Sequence, residues 1–225
     1  PGNPFYQIYT MSLESGDVRR VSPGFGKTTC SFFRPGTDEV LFATSHLDKE
    51  ARAKQKAELD FRASGKSRRY SWDYDVHMDI FSAKRDGSNL KRLTSAMGYD
   101  AEGGYSPDGK KVVFCSIRDA YGKAILTDKE KARLKMDASY FAELYIMNAD
   151  GSNQKRLTFL PGYDGGPFFS PDGKRIIWRH FTEKGDTADI FTMKTDGTDI
   201  KRLTEFGAMS WAPYFHPSGE YVVFA

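Results

Sequence analysis

Short apolar runs rich in Val, Ile, Phe and Tyr recur along the chain between polar turns, the pattern of β-strands rather than of long amphipathic helices. One run, Asp79-Ile80-Phe81-Ser82, leads into Asp86-Gly87-Ser88-Asn89 and then Lys91-Arg92-Leu93-Thr94. The series returns as Glu143-Leu144-Tyr145-Ile146-Met147, Asp150-Gly151 and Lys155-Arg156-Leu157-Thr158. It returns again as Asp189-Ile190-Phe191-Thr192-Met193, Asp196-Gly197 and Lys201-Arg202-Leu203-Thr204. A weaker copy runs from Gln7-Ile8-Tyr9 to Arg19-Arg20-Val21-Ser22.

Between these copies lie Ser106-Pro107-Asp108-Gly109-Lys110 and Ser170-Pro171-Asp172-Gly173-Lys174, each followed by a β-branched run, with degenerate versions at Arg34-Pro35-Gly36 and His216-Pro217-Ser218-Gly219. The turn starts at 34, 106, 170 and 216 are 72, 64 and 46 residues apart. The last spacing is close to the roughly 40–45 residues of a four-stranded propeller blade, and the longer two fit blades with insertions. Proline presets φ for the first central turn position, while Asp-Gly supplies a side-chain acceptor and a positive φ.

The unit reads as inner strand, Ser-Pro-Asp-Gly turn, second strand, link, third strand, Asp-Gly turn and outer strand. This predicts an all-β propeller of about four blade equivalents, with three whole blades and two halves over residues 1–225 and short helical insertions at about 46–77 and 119–140. The two kinds of turn are expected on opposite faces of the disc, and Gly103, Gly104, Gly165 and Gly166 beside a crowded axis. Insertions between second and third strands should emerge together on one face. The first contains the helix-forming stretch Leu47 to Leu59; the second opens on a capping box, Thr127-Asp128-Lys129-Glu130, with Leu134 and Met136 read as packing residues.

The paired motifs, Asp-Ile-Phe with Asp-Gly and Lys-Arg-Leu-Thr, and Ser-Pro-Asp-Gly-Lys, resemble TolB-like propeller repeats. That resemblance implies an extracytoplasmic bacterial propeller, periplasmic or secreted, that binds protein or peptide partners through a rim or channel mouth without chemistry of its own. Pairing of the first and last halves would close a four-bladed ring, but such propellers usually have six blades, so the resemblance favours a fragment of a larger ring. Arg68-Arg69-Tyr70-Ser71-Trp72-Asp73-Tyr74-Asp75 and Trp211-Ala212-Pro213-Tyr214-Phe215-His216 are further similar to propellers placed ahead of an aminopeptidase-type zinc metallopeptidase domain. The alternative function is then a regulatory or substrate-gating propeller, covalently linked to a peptidase domain absent from these residues.

Composition changes this picture little. The 33 basic and 30 acidic residues leave a net charge of +3, far from a dedicated nucleic-acid binder, and no nucleic-acid partner is expected. Residues 49–69 are locally basic, which reads as a solvated helix face. No apolar run is long enough for a membrane span, and the first residues lack the pattern of a signal peptide. Cys30 and Cys115 sit in strand-like runs without metal spacing and read as core thiols.

Catalytic chemistry is not apparent. Gly24-Phe25-Gly26-Lys27-Thr28 and Gly65-Lys66-Ser67 lack the first glycine of a phosphate loop, since Val21 and Asp60 stand there. His46, His77, His180 and His216 are scattered without ligand spacing and read as surface or turn histidines; no metal and no cofactor is expected. Asn148, Asp150 and Asn153 around Gly151 read as a hairpin turn rather than a calcium loop. One alignment does suggest a site: six residues before each Ser-Pro-Asp-Gly turn stand Thr28, Asp100, Asp164 and Ser210, with Glu102 nearby. If inner strands line the axis, these form a candidate ring at the channel mouth for a cation, a peptide amine or water; the alternative is that they satisfy backbone groups.

Overall fold

The computed structural model describes residues 3–69, 72–122 and 126–225; Tyr70 and Ser71 of the first insertion, and residues 123–125 of the second, lie outside them. Along the chain run β1 (Tyr9–Met11), β2 (Val18–Arg20), β3 (Thr28–Phe33), β4 (Glu39–Thr44), helix α1 (Ala51–Ala63), β5 (Asp79–Lys84) and β6 (Lys91–Arg92). Next come β7 (Asp100–Tyr105), β8 (Lys111–Ser116), helix α2 (Asp128–Met136), β9 (Glu143–Asn148) and β10 (Lys155–Arg156). The series ends with β11 (Asp164–Phe169), β12 (Arg175–Phe181), β13 (Ala188–Lys194), β14 (Lys201–Arg202), β15 (Tyr214–Phe215) and β16 (Val222–Val223).

β3–β6, β7–β10 and β11–β14 are three four-stranded antiparallel sheets, each in simple up-and-down order. β1–β2 and β15–β16 are separate two-stranded sheets and do not pair with each other. The first strands β3, β7, β11 and β15 follow one another side by side, so they are the inner strands of a propeller. Both Ser-Pro-Asp-Gly and Asp-Gly turns lie at the same end of each sheet, against the expectation of opposite faces. The reason is parity: in a meander the first and third turns share an end, and Ala149 N–H to Lys110 O at 2.9 Å ties the two kinds together. The insertions follow the second strand and leave from the other end.

Second strands are buried on both faces, which is why they read as continuous apolar runs. Leu41 packs with Ile80, Val112, Phe114 and Met147 between the first and second whole blades, while Val40 and Phe42 face back toward Ile8 and Val21 of β1–β2. Leu144, Ile176, Trp178 and Met193 join the second and third blades. Each such side chain contributes about 1.5–3 kcal/mol of transfer free energy, so the blades hold together chiefly by these faces.

The Lys-Arg-Leu-Thr motif has a specific task. Thr94, Thr158 and Thr204 each accept the backbone N–H of Ile80, Leu144 or Ile190 at 2.9 Å and donate to the buried carboxylate of Asp79, Glu143 or Asp189. Arg92, Arg156 and Arg202 bind the same carboxylates through one nitrogen and the threonine carbonyl through Nε. The outer strand is only two residues long, and this clamp supplies the closure its short ladder lacks. In β1–β2 the clamp is neutral: Ser22 accepts Ile8 N–H at 3.0 Å and donates to Gln7 at 2.7 Å.

At the turns, Ser106 and Ser170 donate to Asp108 and Asp172 at 2.6 Å and accept the amides of Lys111 and Arg175 at 2.9 Å. Gly151 shows why its turn needs glycine: φ is +91°, and a Cβ would stand 2.6 Å from the Leu93 carbonyl of the preceding blade. The capping box of α2 forms in full around Thr127 and Glu130. Met136, expected to pack, is exposed, because α2 buries no residue completely; Leu134 is half-buried. The first helix begins at Ala51, its Lys54 tied to Asp48 at 2.7 Å and to Asp75 at 3.1 Å.

Candidate axial binding site

Each inner strand carries the same irregularity. Its third residue is left-handed, at Cys30 (φ 49°), Glu102 (φ 57°) and Gly166 (φ 60°), and Ala212 (φ 49°) stands at the matching place before β15. The pairing register shifts across these positions in the three whole blades, a β-bulge that turns a peptide out of its ladder. In the third blade the freed amide of Gly166 donates to Glu102 Oε2 of the second blade at 2.6 Å.

Glu102 is the hub. Its other oxygen accepts the Tyr163 hydroxyl at 2.6 Å, and Arg179 Nη2 reaches Glu102 at 3.1 Å and Tyr163 at 2.7 Å. The Arg179 guanidinium lies 4.1 Å from the centroid of the Trp211 ring, and Trp211 is half open to solvent. Burial works against the Arg179 charge, yet Tyr163 and Glu102 outweigh it and raise its pKa. Burial, then the charge of Glu102, also push the Tyr163 and Tyr99 hydroxyls up.

Cys30 is open to solvent, against its reading as a core thiol, while Cys115 is buried as expected. The left-handed backbone at Cys30 swings the side chain into the axial recess. There burial and Glu102 push the thiol up to about 11, although water reaches it. His46, expected at the surface, is buried against Phe25 and Phe81, and burial lowers its pKa.

The strand-starting residues Thr28, Asp100, Asp164 and Ser210 are all buried. Asp100 accepts Ser116 and Arg118 Nη2, both at 2.5 Å, with Thr94 of the preceding blade a further partner. Burial raises its pKa against the pull of Arg118. Asp164 accepts Trp178 Nε1 at 2.7 Å and meets His180 Nδ1 at 2.8 Å. Asp164 is thus engaged inside its own blade and Asp100 mostly so, whereas Glu102 takes all its side-chain donors from the next blade. Thr28 Oγ1 and Asp164 Oδ2 have no partner among the described residues. Those residues contain no group of three or more His, Cys, Asp or Glu side chains placed to hold a metal ion.

The insertions close over this region. Tyr74 of the first packs edge-on against Tyr99 at 5.1 Å and Tyr163 at 6.2 Å, and its hydroxyl bonds Ser139 of the second. Trp72 Nε1 donates to Tyr99 at 3.1 Å. Both insertions therefore emerge on one face, at the start of the inner strands. Half of the basic residues of the first insertion are in ion pairs: Lys56 with Asp60, Arg62 and Arg68 with Glu58, and Lys54 with Asp48 and Asp75.

Sequence alone placed Glu102 nearby but missed Arg179 and Trp211 as its companions. An arginine directly after Ile176-Ile177-Trp178, in a run otherwise suited to burial, is the signal that marked Arg179.

No family model matches the chain. The Protein TolB homolog of Chlorobium chlorochromatii is 26% identical over 210 residues, covering 79% of this chain and 46% of that protein. The chain thus spans about half the length of this curated relative. A candidate TolB from Agrobacterium tumefaciens superposes with a TM-score of 0.64 at 23% identity, over 97% of this chain and 62% of its own. TolB from Acinetobacter baumannii gives the same TM-score at 15% identity, over 99% of this chain and 43% of its own.

Proposed function

We propose that this TolB-like β-propeller is a binding and scaffolding module of an extracytoplasmic bacterial protein, one that takes protein or peptide ligands at the axial mouth beneath its two insertions. The observation that carries the reading is the cluster of Glu102, Tyr163, Arg179 and Trp211: three blades meet there in a recess with both hydrogen-bonding and aromatic surface. Its groups suit recognition better than catalysis. Glu102 already accepts three donors and is not free as a base, and the Cys30 thiol is held protonated. Similarity to proteins named TolB supports a protein-interaction role and a periplasmic setting. No helix among the described residues is long and apolar enough to cross a membrane.

A photo-crosslinking amino acid at position 211, compared with one at the exposed Leu203 just after β14, tests the reading. A discrete adduct with a periplasmic protein from position 211, absent from position 203, is the expected result; equal, diffuse labelling from both would remove the axial site from consideration. In the narrower alternative, the propeller gates a covalently linked zinc peptidase. Reading the coding sequence beyond Ala225 for a domain with His, Asp and Glu zinc ligands decides that alternative.

A further inference from the structure

We infer that the Ala212 amide and Arg179 Nη1, which lies beside Gly166, hold a carboxylate of the bound peptide. The inference rests on the peptide-binding reading above and names the chemistry its axial site recognises.

The argument comes from the order of the bulges. The side chain at each left-handed position meets the backbone amide of the next left-handed residue around the axis. The Glu102 amide engages the Cys30 sulfur, and the Gly166 amide donates to Glu102 Oε2. At the following step the series is interrupted, because Gly166 has no side chain to offer Ala212. The Ala212 N–H has no acceptor among the described residues.

Arg179 occupies the space a side chain at Gly166 would fill. A Cβ there would lie 2.1 Å from Arg179 Nη1. Nη2 serves both Glu102 and Tyr163, whereas Nη1 has no acceptor among the described residues and is not sealed from solvent. Trp211, the neighbour of Ala212, stacks on the Arg179 guanidinium, so a cationic donor and a backbone donor lie beside the same ring. Two open donors call for an acceptor, and a carboxylate offers two oxygens, one for each. A guanidinium with five N–H groups can serve Glu102 and a second carboxylate together. A cation or a peptide amine would instead meet two donors, which disfavours both of them here.

The test is a titration of the full chain, labelled with nitrogen-15, with N-acetyl-Phe-Gly as the free acid and as its carboxamide. The acid is expected to shift the Ala212 amide and the Trp211 indole resonances saturably, with the carboxamide about 10- to 100-fold weaker. Arg179→Gln should abolish the preference for the acid, and Arg179→Lys should retain part of it. Should Arg179→Gln fail to fold, the acid-against-amide comparison on the unaltered chain still decides. Equal shifts from acid and amide would overturn carboxylate recognition while leaving peptide binding in place. No shift at Ala212 would also overturn it, and crosslinking from position 211 would then judge the broader reading by itself.

Discussion

The Gly166 amide donates to the Glu102 carboxylate at 2.6 Å across the boundary between the second and third blades. With Tyr163 and Arg179 on the same carboxylate, one side chain fixes the spacing of two sheets that share no strand pairing. Glu102→Ala should therefore destabilise the chain by about 3 kcal/mol, because it leaves Arg179 confined without its counter-charge. Glu102→Gln should cost less, since it keeps an acceptor for Gly166. Thermal or urea unfolding ranks the two, and equal losses would mean that the carboxylate charge is unimportant.

The threonine clamps allow a cleaner substitution. Thr158→Val keeps the shape but strands the Leu144 amide and removes one donor from Glu143. A loss of about 1–3 kcal/mol is expected, or roughly 2–4 °C in Tm for each kcal/mol. Thr158→Ser, which retains the hydroxyl, should lose less.

Glu143 also makes stability depend on pH. Burial pushes its carboxyl up to about 8, and that of Asp79 to about 6, despite the pull of their threonine and arginine partners. Between the ordinary carboxylate range and about 8 the folded chain therefore holds a proton that the unfolded chain releases. The stabilising contribution is complete below about 4.5 and is lost as pH rises toward 8. Glu143→Gln should flatten this decline in urea midpoints measured from pH 5 to pH 8; an unchanged slope would place its source elsewhere.

Cys30 is reachable but poorly ionised, with its thiol near 11 instead of 9.0. At pH 8 its thiolate fraction is about 100-fold below that of an unshifted thiol, so iodoacetamide should label the native chain slowly. Cys115, wholly buried, should react only on unfolding. Fast labelling at Cys30 would show that the recess does not suppress ionisation.

The strand and turn order was legible because turn residues and apolar runs are local signals, and the capping box at Thr127 likewise lies within four residues. The clamp was visible only as repeated letters: Asp79 and Thr94 are far apart in sequence, and their contact exists only once β5 and β6 pair. The axial site was harder still. Aligning the strand entries singled out Asp100 and Asp164 and left Glu102 as a neighbour, because the left-handed backbone at Glu102 is what gives it its partners in the next blade, and non-glycine residues give little sequence warning of positive φ. Cys30 came to lie in the recess for the same reason, and His46 was buried because its neighbours Phe25 and Phe81 arrive from distant segments.

The meander parity described above gives the disc one conservative end and one permissive end. Tight turns with fixed dihedrals occupy the first, where added length would disrupt the hairpins. At the second, whole helices have been accommodated between strands without disturbing the ladders on either side, and the first insertion brings Tyr74 against Tyr99 and against Tyr163, the partner of Glu102. Such a scaffold can acquire new specificities by lengthening a loop instead of rebuilding a core, and a designer wishing to graft a recognition segment onto it would start at Ser45 or Ile117.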